Sequence, residues 1–309
     1  MTDLPPLFLE RLHTIIPLEY LPQVQKSFSL PAPVTVRINT LKTSIDKILQ
    51  TLTDRGMAFT RIPWMDEALI LSPGEIDLQD LIEEGLLYRQ GLSSMLPPLI
   101  LNPQSGESVL DMCAAPGSKT TQMAARMQNQ GHLLAIESVR QRYYKLKSVV
   151  THMGASMVSL KLMDARRLRP PDPLFDKILL DVPCSTEGRF QTNDPKSYAF
   201  WSLRKIKEMA HKQRGLLLSA SRLLKPNGML LYSTCTFAPE ENEGIIDWFL
   251  RKTSIPFEVE PTDFPDIKSY PALLEWQEKS FDPRVKNCLR VLPDGNMEGF
   301  FVAKLRRLS

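Results

Sequence analysis

From about residue 106 onward, short runs of apolar residues alternate along the chain with segments in which apolar residues recur at helical spacing. The runs are continuously apolar, which is typical of strands covered on both faces. They occupy residues 108–112, 132–137, 157–164, 176–183 and 228–235, and the helical segments occupy residues 117–128, 138–154, 202–228 and 238–252. Such alternation predicts an α/β fold with a doubly wound, mostly parallel, Rossmann-like sheet.

Two further strands are predicted near the end of the chain, at residues 256–261 and 298–305. We expect these two strands to pair and close the sheet, which gives seven strands in total. The stretch between them, residues 262–297, contains several prolines and has no periodic pattern. No role can be argued from the sequence for this stretch or for Cys288 within it.

The first third of the chain follows a different pattern. It predicts helices at residues 1–16, 20–28 and 44–56, the last ending at a glycine, and a strand at residues 34–41. This mixture is typical of a small α+β domain. We place its boundary near residue 95, so that residues 1–95 form an N-terminal domain and residues 96–309 form the larger α/β domain.

Composition limits the class of protein. Of 309 residues, 43% are hydrophobic and 24% are charged, as in ordinary soluble proteins. No apolar run is long enough to span a bilayer, and the N-terminus has no basic stretch followed by an apolar core. The four cysteines form no C-x-x-C pair and have no histidine at zinc spacing. We therefore expect a cytoplasmic protein with free thiols, no metal and no membrane contact.

Charge is distributed unevenly along the chain. Residues 1–100 contain 8 Lys/Arg and 12 Asp/Glu, a net charge of −4. Because the whole chain has a net charge of +3, residues 101–309 carry a net charge of +7. Basic clusters lie at residues 140–147, 164–169, 204–214 and 304–307. Any one cluster is consistent with a solvated helix face. Several clusters on one domain favour a polyanionic partner.

The first parallel strand leads into a turn of small residues, D-M-C-A-A-P-G-S-K-T-T, at residues 111–121. Such a turn between a strand and a helix lets a ligand approach the backbone and the first N–H groups of the helix. A P-loop is excluded because Ser118 precedes Lys119 where glycine is required, and the dinucleotide fingerprint is also missing. The alternative is a compact turn that binds nothing.

Acidic residues end the next three strands, at Glu137, Asp164 and Asp181. The carboxyl ends of parallel strands meet at one edge of the sheet, where such folds bind ligands. A carboxylate after the second strand can accept hydrogen bonds from ribose hydroxyls, and one after the third can accept from an adenine amine. A single acid at a strand end can simply cap a helix. Three acids beside a turn of small residues predict an adenosine-containing ligand.

Two cysteines follow the fourth and fifth strands, Cys184 in D-V-P-C-S-T and Cys235 in Y-S-T-C-T-F. Neighbouring strands would bring the two thiols together. A lone cysteine is usually a small buried hydrophobe, but two in equivalent polar turns favour chemistry. A thiolate that adds to carbon 6 of cytosine makes carbon 5 nucleophilic toward a methyl sulfonium. Asp181 can act on the N3 side of the ring, and the second thiol can assist release.

These segments strongly resemble the RNA cytosine-5 methyltransferases of the Sun/Nop2 group. The matching segments are residues 36–42, 90–101, 109–120, 181–188, 223–243 and 298–305. The resemblance implies a methyltransferase sheet and a binding site for S-adenosyl-L-methionine made of Cys113, Ala114, Ala115, Pro116, Gly117, Ser118, Lys119, Glu137, Asp164 and Asp181. It further implies that Cys235 is the nucleophile, that Cys184 aids product release, and that Lys119 also reaches the active site.

The resemblance implies an RNA partner and does not decide between ribosomal and transfer RNA. Many bacterial members of the group carry further C-terminal RNA-binding domains, whereas this sequence ends after the predicted closing strand. We therefore expect residues 1–95 and the catalytic face to select the RNA. We also expect a monomer and a target base that is turned out of its surroundings.

Two other functions are weighed against this one. The fold and the cofactor turn would also suit a methyltransferase of protein or of a small molecule, although such acceptors need no covalent activation by a thiol. A catalytically silent RNA-binding assembly factor is the third hypothesis, and the intact turn, acids and cysteines speak against it. Four aromatic residues are candidates either for stacking on RNA bases or for packing: Tyr143, Tyr144, Phe190 and Trp201.

Overall fold

A computed structural model describes residues 4–72, 78–171, 173–262, 264 and 266–309. Its N-terminal part combines helices with a small four-stranded antiparallel sheet in the order β2-β3-β1-β4. The elements are α1 (Pro6–Ile15), α2 (Leu21–Ser27), β1 (Val34–Ile38), α3 (Ile45–Asp54), β2 (Phe59–Ile62), β3 (Met65–Leu71), α4 (Gln79–Glu83) and β4 (Leu87–Arg89). Helix α3 begins where the Ser44 hydroxyl accepts a hydrogen bond from Lys47 N. The predicted α+β pattern is present.

The N-terminal part contributes to three apolar clusters among the described residues, of which the smallest joins Ile62, Met65 and Ala68 to α5. The small sheet and α3 enclose one cluster, to which Ile38 and Leu69 belong. Helices α1 and α2 instead place Phe8 and Phe28 in a second cluster that also contains Phe190 from the larger part of the chain. Burial of large aromatic side chains contributes strongly to such contacts. The first two helices are therefore packed against the part of the protein that carries the cysteines.

The larger part of the described chain forms one α/β layer structure. Its elements are α5 (Leu92–Leu101), β5 (Ser108–Asp111), α6 (Ser118–Arg126), β6 (His132–Glu137), α7 (Arg140–His152), β7 (Val158–Leu162), β8 (Phe175–Asp181), α8 (Leu203–Leu223), β9 (Leu224–Thr234), α9 (Glu243–Lys252), β10 (Phe257–Glu260), β11 (Ser269–Tyr270), β12 (Glu275–Trp276), β13 (Lys279–Ser280), β14 (Leu289–Val291) and β15 (Phe300–Arg307). Strands β9, β8, β5, β6 and β7 are mutually parallel.

The main sheet has the order β11-β14-β15-β9-β8-β5-β6-β7, and β10 pairs with β15. Apolar clusters cover both of its faces, one built with α8 and α9 and the other with α5, α6 and α7. This is the predicted doubly wound α/β fold. The predicted closing pair is also present, since β10 and β15 are antiparallel neighbours.

The prediction of seven strands was too low, because this sheet has nine strands within the described residues. The two additional strands, β11 and β14, come from the stretch 262–297 that was expected to be irregular. They contain only two and three residues, so they have no detectable periodicity. Pairing of β14 with β15 and of β11 with β14 holds them in place.

Three predicted helix bounds were wrong. Helix α1 begins at Pro6 rather than at residue 1, and residues 1–3 of that prediction lie outside the described residues. Helix α8 ends at Leu223 rather than at residue 228, and Leu224 is already extended with φ −89° and ψ 138°. The cause is Pro226, which lacks an N–H group and disfavours helical geometry in the residue before it. Helix α9 begins at Glu243 rather than at residue 238, because hydrogen bonds to Pro239 O close a turn there first.

The boundary placed near residue 95 falls inside a helix. Helix α5, Leu92–Leu101, contacts strands β8 and β9 of the main sheet. The division into residues 1–95 and 96–309 stays a prediction.

Candidate active site

A cavity of about 650 Å³ opens at the carboxyl edge of the parallel strands. Most of the predicted site residues line it, namely Cys113, Ala115, Pro116, Ser118, Lys119, Glu137, Asp164, Asp181, Cys184 and Cys235. Ala114 and Gly117 belong to the same turn but lie outside the lining. One cavity therefore brings together the turn after β5, the acids at three strand ends and both cysteines.

The turn after β5 is shaped by Gly117. This residue has φ +112°, a region that side chains rarely allow, and it precedes the first turn of α6. A Cβ atom here would lie 3.1 Å from side-chain atoms of Leu146 and Val149. Arg142 holds the same turn from the outside, because its Nη2 donates to Ala115 O at 2.7 Å. The positive φ and the close packing against α7 therefore both require a glycine at this position.

The acids of β6 and β7 stand at one end of the cavity. Glu137 is 3% exposed and accepts a hydrogen bond from Val139 N at 2.8 Å, while Arg142 Nη1 lies 3.4 Å from its other oxygen. Asp164 follows β7 and pairs with Arg166 at 2.6 Å, and this partner holds the pKa of Asp164 below its usual value. Asp164 also accepts from Arg166 N, so it acts as a cap as well as lining the cavity.

Asp181, at the end of β8, is fixed between two partners. Its Oδ2 lies 2.6 Å from Lys119 Nζ, and its Oδ1 accepts from Ser233 Oγ at 2.8 Å. Lys119 is 8% exposed and also donates to Ser94 Oγ at 2.9 Å. The ammonium and carboxylate therefore form one hydrogen-bonded unit that faces the cavity.

The two cysteines meet beside this unit. Their sulfur atoms are 3.4 Å apart, close enough for one thiol to donate a hydrogen bond to the other sulfur. That bond, together with the charge of Arg189, lowers the pKa of Cys235. The same bond and burial raise the pKa of Cys184 well above its usual value. Either thiol can be the donor in this geometry. The directions of the two pKa shifts make Cys235 the sulfur that carries negative charge more readily, with Cys184 as its donor in that state.

Several residues of the cavity were missed by the sequence analysis. Arg189 lines it and pairs with Glu298 at 2.9 Å, across 109 positions of the chain. Ser94 accepts a hydrogen bond from Lys119, and Arg142 donates one to the turn after β5. Ser94 lies in the matching segment 90–101, Arg142 lies in the basic cluster 140–147, and Arg189 directly follows the matching segment 181–188, but none of the three was selected as a site residue.

The aromatic residues considered for stacking on RNA bases differ in their exposure to solvent. Phe190 is 1% exposed and its ring centroid lies 4.8 Å from that of Phe8, so it packs in the interior and is not free to stack on a base. Trp201 is half-buried and donates Nε1 to Glu187 at 2.8 Å. Tyr144 is 53% exposed. Phe200, which the sequence analysis did not select, is 87% exposed.

The residues present fit S-adenosyl-L-methionine. Cavities of this size suit ligands of a few hundred daltons. Glu137 provides a buried carboxylate for ribose hydroxyls, and the turn after β5 lines the same cavity through Cys113, Ala115, Pro116 and Ser118.

Two further findings concern other sites. Among the residues that the structure describes, no group of three or more His, Cys, Asp or Glu side chains is arranged to hold a metal ion. In the same described part of the chain, no helix is both long and apolar enough to cross a membrane.

Two family models match the sequence. Residues 98–306 match the model described as 16S rRNA methyltransferase RsmB/F. Residues 4–77 match the model described as the ferredoxin-like domain of RsmF/B-like methyltransferases. The first match covers more than half of the chain and contains every predicted site residue.

Curated relatives cover most of the chain. The tRNA (cytosine(49)-C(5))-methyltransferase of Pyrococcus abyssi is 36% identical over 281 residues, which are 90% of this chain and 89% of the relative. The ribosomal RNA small subunit methyltransferase F of Escherichia coli O127:H6 is 39% identical over 290 residues, 90% of this chain and 57% of the relative. The chain thus spans little more than half the length of the ribosomal relative.

Solved structures share the fold. A methyltransferase homolog protein from Pyrococcus horikoshii has a TM-score of 0.80 and 31% identity, and the match covers 99% of this chain and 100% of that one. NSun6 from the same organism has a TM-score of 0.84 over 99% of this chain and 98% of its own, at 24% identity. At that identity the second likeness concerns the fold alone. The predicted fold class is confirmed.

Proposed function

Because the chain belongs to the RsmB/F family of 16S rRNA methyltransferases, we propose that it methylates carbon 5 of a cytosine in RNA through a covalent bond from Cys235. The predicted membership of the Sun/Nop2 group of methyltransferases is confirmed by the family match and by the relatives. The observation that carries the proposed mechanism is the pair of sulfurs 3.4 Å apart in the wall of the cavity that the small-residue turn also lines.

The first step is attack on the base. Cys235 Sγ forms a bond to carbon 6, and the displaced electrons make carbon 5 nucleophilic. The Lys119–Asp181 unit lies at the end of β8, next to Cys235, and is placed to supply a hydrogen bond or a proton on the N3 side of the ring. S-adenosyl-L-methionine supplies the electrophilic methyl group when it is bound.

The last step is release. After methyl transfer, a base in the cavity, the Asp181 carboxylate or a water molecule, takes the proton from carbon 5. The electrons of that C–H bond restore the double bond between carbons 5 and 6 as the bond between carbon 6 and Cys235 breaks. The departing sulfur takes the electron pair of its bond to carbon 6. Cys184 donates its thiol hydrogen bond to this sulfur, which stabilises the thiolate as it leaves. This assigns attack to Cys235 and assistance in release to Cys184.

The nature of the RNA is the second part of the proposal. One relative is named for position 49 of tRNA and the other for small-subunit ribosomal RNA, so both classes are candidate substrates. We propose that residues 1–95 and the rim of the cavity select between them, because Tyr88, Arg89 and Gly91 line the same cavity. A monomer that works in the cytoplasm, where such RNAs are made in bacteria and archaea, completes the proposal.

A tritium-release assay tests this function. Unmodified transcripts of small-subunit ribosomal RNA and of tRNA, labelled with tritium on carbon 5 of cytidine, are incubated with enzyme and S-adenosyl-L-methionine. Only attack at carbon 5 releases the label. Cys235→Ser should abolish release while cofactor affinity, measured by calorimetry, stays within about twofold, since the nucleophile makes no ground-state contact that binding requires. Normal release by the variant would refute the mechanism.

A further inference from the structure

Two buried glutamates join the two segments that carry the cysteines. The Cys184 segment is residues 181–188, and the Cys235 segment is residues 232–243. Glu187 follows Cys184 by three positions, and Glu241 follows Cys235 by six. Their exposures are 1% and 0%. A glutamate is seldom buried to this extent unless protein groups satisfy its oxygens. The partners of each carboxylate therefore indicate what it holds.

Glu187 lies on the Cys184 segment and holds the Cys235 segment. Its Oε2 accepts hydrogen bonds from Thr236 Oγ1 at 2.9 Å and from Phe237 N at 3.1 Å. Its Oε1 accepts a hydrogen bond from Trp201 Nε1 at 2.8 Å. The two residues that directly follow Cys235 are thus fixed by a carboxylate of the other segment.

Glu241 lies on the Cys235 segment and holds the Cys184 segment in return. Its two oxygens lie 3.1 and 3.3 Å from Ser185 N, which belongs to the residue directly after Cys184. Gln213 of α8 donates to the same carboxylate at 2.7 Å and to Pro183 O at 2.9 Å. The residues on both sides of Cys184 are therefore restrained.

A third set of bonds connects the segments directly. Ser185 Oγ and Thr236 Oγ1 are 2.7 Å apart. The single hydroxyl hydrogen of Thr236 is directed to Glu187, so Ser185 is the donor in this pair. In addition, Gly188 N donates to Cys235 O at 3.0 Å. The cross-links run in both directions and leave the segments little freedom to shift relative to each other.

We infer that Glu187 and Glu241 are reciprocal positioning residues that fix the separation of the Cys184 and Cys235 sulfurs. Each glutamate belongs to the segment of one cysteine and holds the backbone beside the other. The inference rests on the proposed function, in which Cys235 attacks and Cys184 assists release. It predicts opposite defects: a weakened Glu241 impairs release, and a weakened Glu187 impairs attack.

Glutamine variants test this division. An amide has the size of the carboxyl group, but its nitrogen cannot accept the hydrogen bonds that a carboxylate oxygen accepts. Glu241→Gln keeps the volume of the buried side chain and one oxygen that can still accept from Ser185 N or from Gln213, so the variant should fold. We expect it to accumulate at least about threefold more denaturant-resistant protein–RNA adduct than the wild type, with single-turnover methyl transfer within about twofold.

Glu187→Gln should show the converse. Its single-turnover methyl transfer should fall at least about threefold, without accumulated adduct, because the attacking sulfur is displaced. The probes are the unmodified small-subunit ribosomal RNA and tRNA transcripts of the previous section. Glu240→Gln serves as the matched control, since this neighbouring carboxylate pairs with Arg11 and contacts neither cysteine segment through Ser185 or Thr236.

A second measurement needs no RNA. Diamide oxidises two thiols to a disulfide, whose sulfurs lie about 2.05 Å apart, so the rate reports how readily the pair at 3.4 Å can close. Peptide mass spectrometry follows the bond between Cys184 and Cys235 in the full chain. Both glutamine variants at the buried positions should close at least about threefold more slowly than the wild type, and Glu240→Gln should match it.

The outcomes separate the two proposals. Cys184→Ala is the reference for adduct accumulation. If it accumulates no adduct, the division of labour between the cysteines is wrong, whatever the glutamates do. If it accumulates adduct but Glu241→Gln behaves like Glu240→Gln in both measurements, the positioning inference is overturned.

Discussion

The cavity has a thiol end, formed by Cys184, Cys235, Lys119 and Asp181, and an acid end, formed by Glu137 and Asp164. The two ends hold their functional groups in different ways. At the thiol end, Lys119 reaches Asp181 across 62 positions of the chain and is 8% exposed. At the acid end, Glu137 and Asp164 are paired with arginines only five and two positions away. The side chains of these arginines, Arg142 and Arg166, are 52% and 44% exposed.

This difference indicates different tasks. Exposed ion pairs contribute roughly 0–1 kcal/mol and rearrange easily, so Arg142 and Arg166 can adjust when a ligand enters between the acids. In the Lys119–Asp181 pair the cation is buried, with side-chain exposures of 9% and 26%, and each partner makes a further hydrogen bond. This pair therefore keeps its geometry and presents its charges to the reacting atoms without reorganisation. The thiol end is therefore built for chemistry, and the acid end is built for binding.

The largest test of this comparison is Lys119→Met. Loss of the ammonium leaves Asp181 without its charge partner and removes a source of protons for the ring. Single-turnover methyl transfer should fall by roughly 10²–10⁴, the usual range for a positioned acid–base group. Quenched-flow measurements at saturating cofactor and RNA would give this rate.

A matched control lies at the opposite end of β8. Lys177 pairs with Glu107 at 3.0 Å, far from the carboxyl edge of the sheet. Lys177→Met should leave the rate within about twofold of the wild type, because a partly exposed pair of this kind contributes little. Equal losses in the two variants would mean that Lys119 acts through stability alone.

The second test concerns the acid end. Glu137→Gln keeps the size of the side chain but replaces a charged acceptor of hydroxyl hydrogen bonds with a neutral one. Cofactor affinity should fall roughly ten- to hundredfold, since hydrogen bonds to charged groups contribute about 1.5–3 kcal/mol. Calorimetric titration with S-adenosyl-L-methionine measures this. The rate at saturating cofactor should change little, and a rate loss as large as the affinity loss would break the comparison.

A third test uses pH at the thiol end. The hydrogen bond from Cys184 is the main cause that lowers the pKa of Cys235. In Cys184→Ala that pKa should rise, so a larger share of Cys235 is protonated at neutral pH. Formation of the first covalent adduct should be roughly two- to tenfold slower at pH 7 and should approach the wild-type rate as pH rises. A profile that does not move would show that the thiol of Cys184 does not donate to Cys235.

Prediction from the sequence succeeded where the signal was local. Continuous apolar runs identified the five parallel strands, and the rule that ligands bind at their carboxyl ends placed Glu137, Asp181 and both cysteines at one edge. It failed where structure depends on distant partners. Strands β11 and β14 are too short for any periodicity, and their pairing partners supply the structure that their own residues do not specify.

The same reason explains the missed side chains. Arg189 meets Glu298, and Glu187 meets Thr236, across more than a hundred and about fifty positions respectively. No spacing between residues in the sequence predicts such pairs. The end of α8 is a different case. Pro226 is visible in the sequence, but the predicted helix was continued past this proline to Gly228.

The smallest expected effect distinguishes the two acids of the binding end. Asp164 already shares both oxygens with Arg166, so a ligand amine would compete with a partner that is present. Asp164→Asn should therefore weaken cofactor binding only about two- to fivefold, less than Glu137→Gln, because part of the lost contact is the bond to Arg166. Calorimetry on Asp164→Asn, Arg166→Ala and the double variant would resolve this. If Arg166 competes with the ligand, Arg166→Ala should bind the cofactor at least as tightly as the wild type. A loss in Arg166→Ala equal to that in Asp164→Asn would instead mean that the ion pair itself orients the carboxylate, and the acid end would then be as pre-arranged as the thiol end.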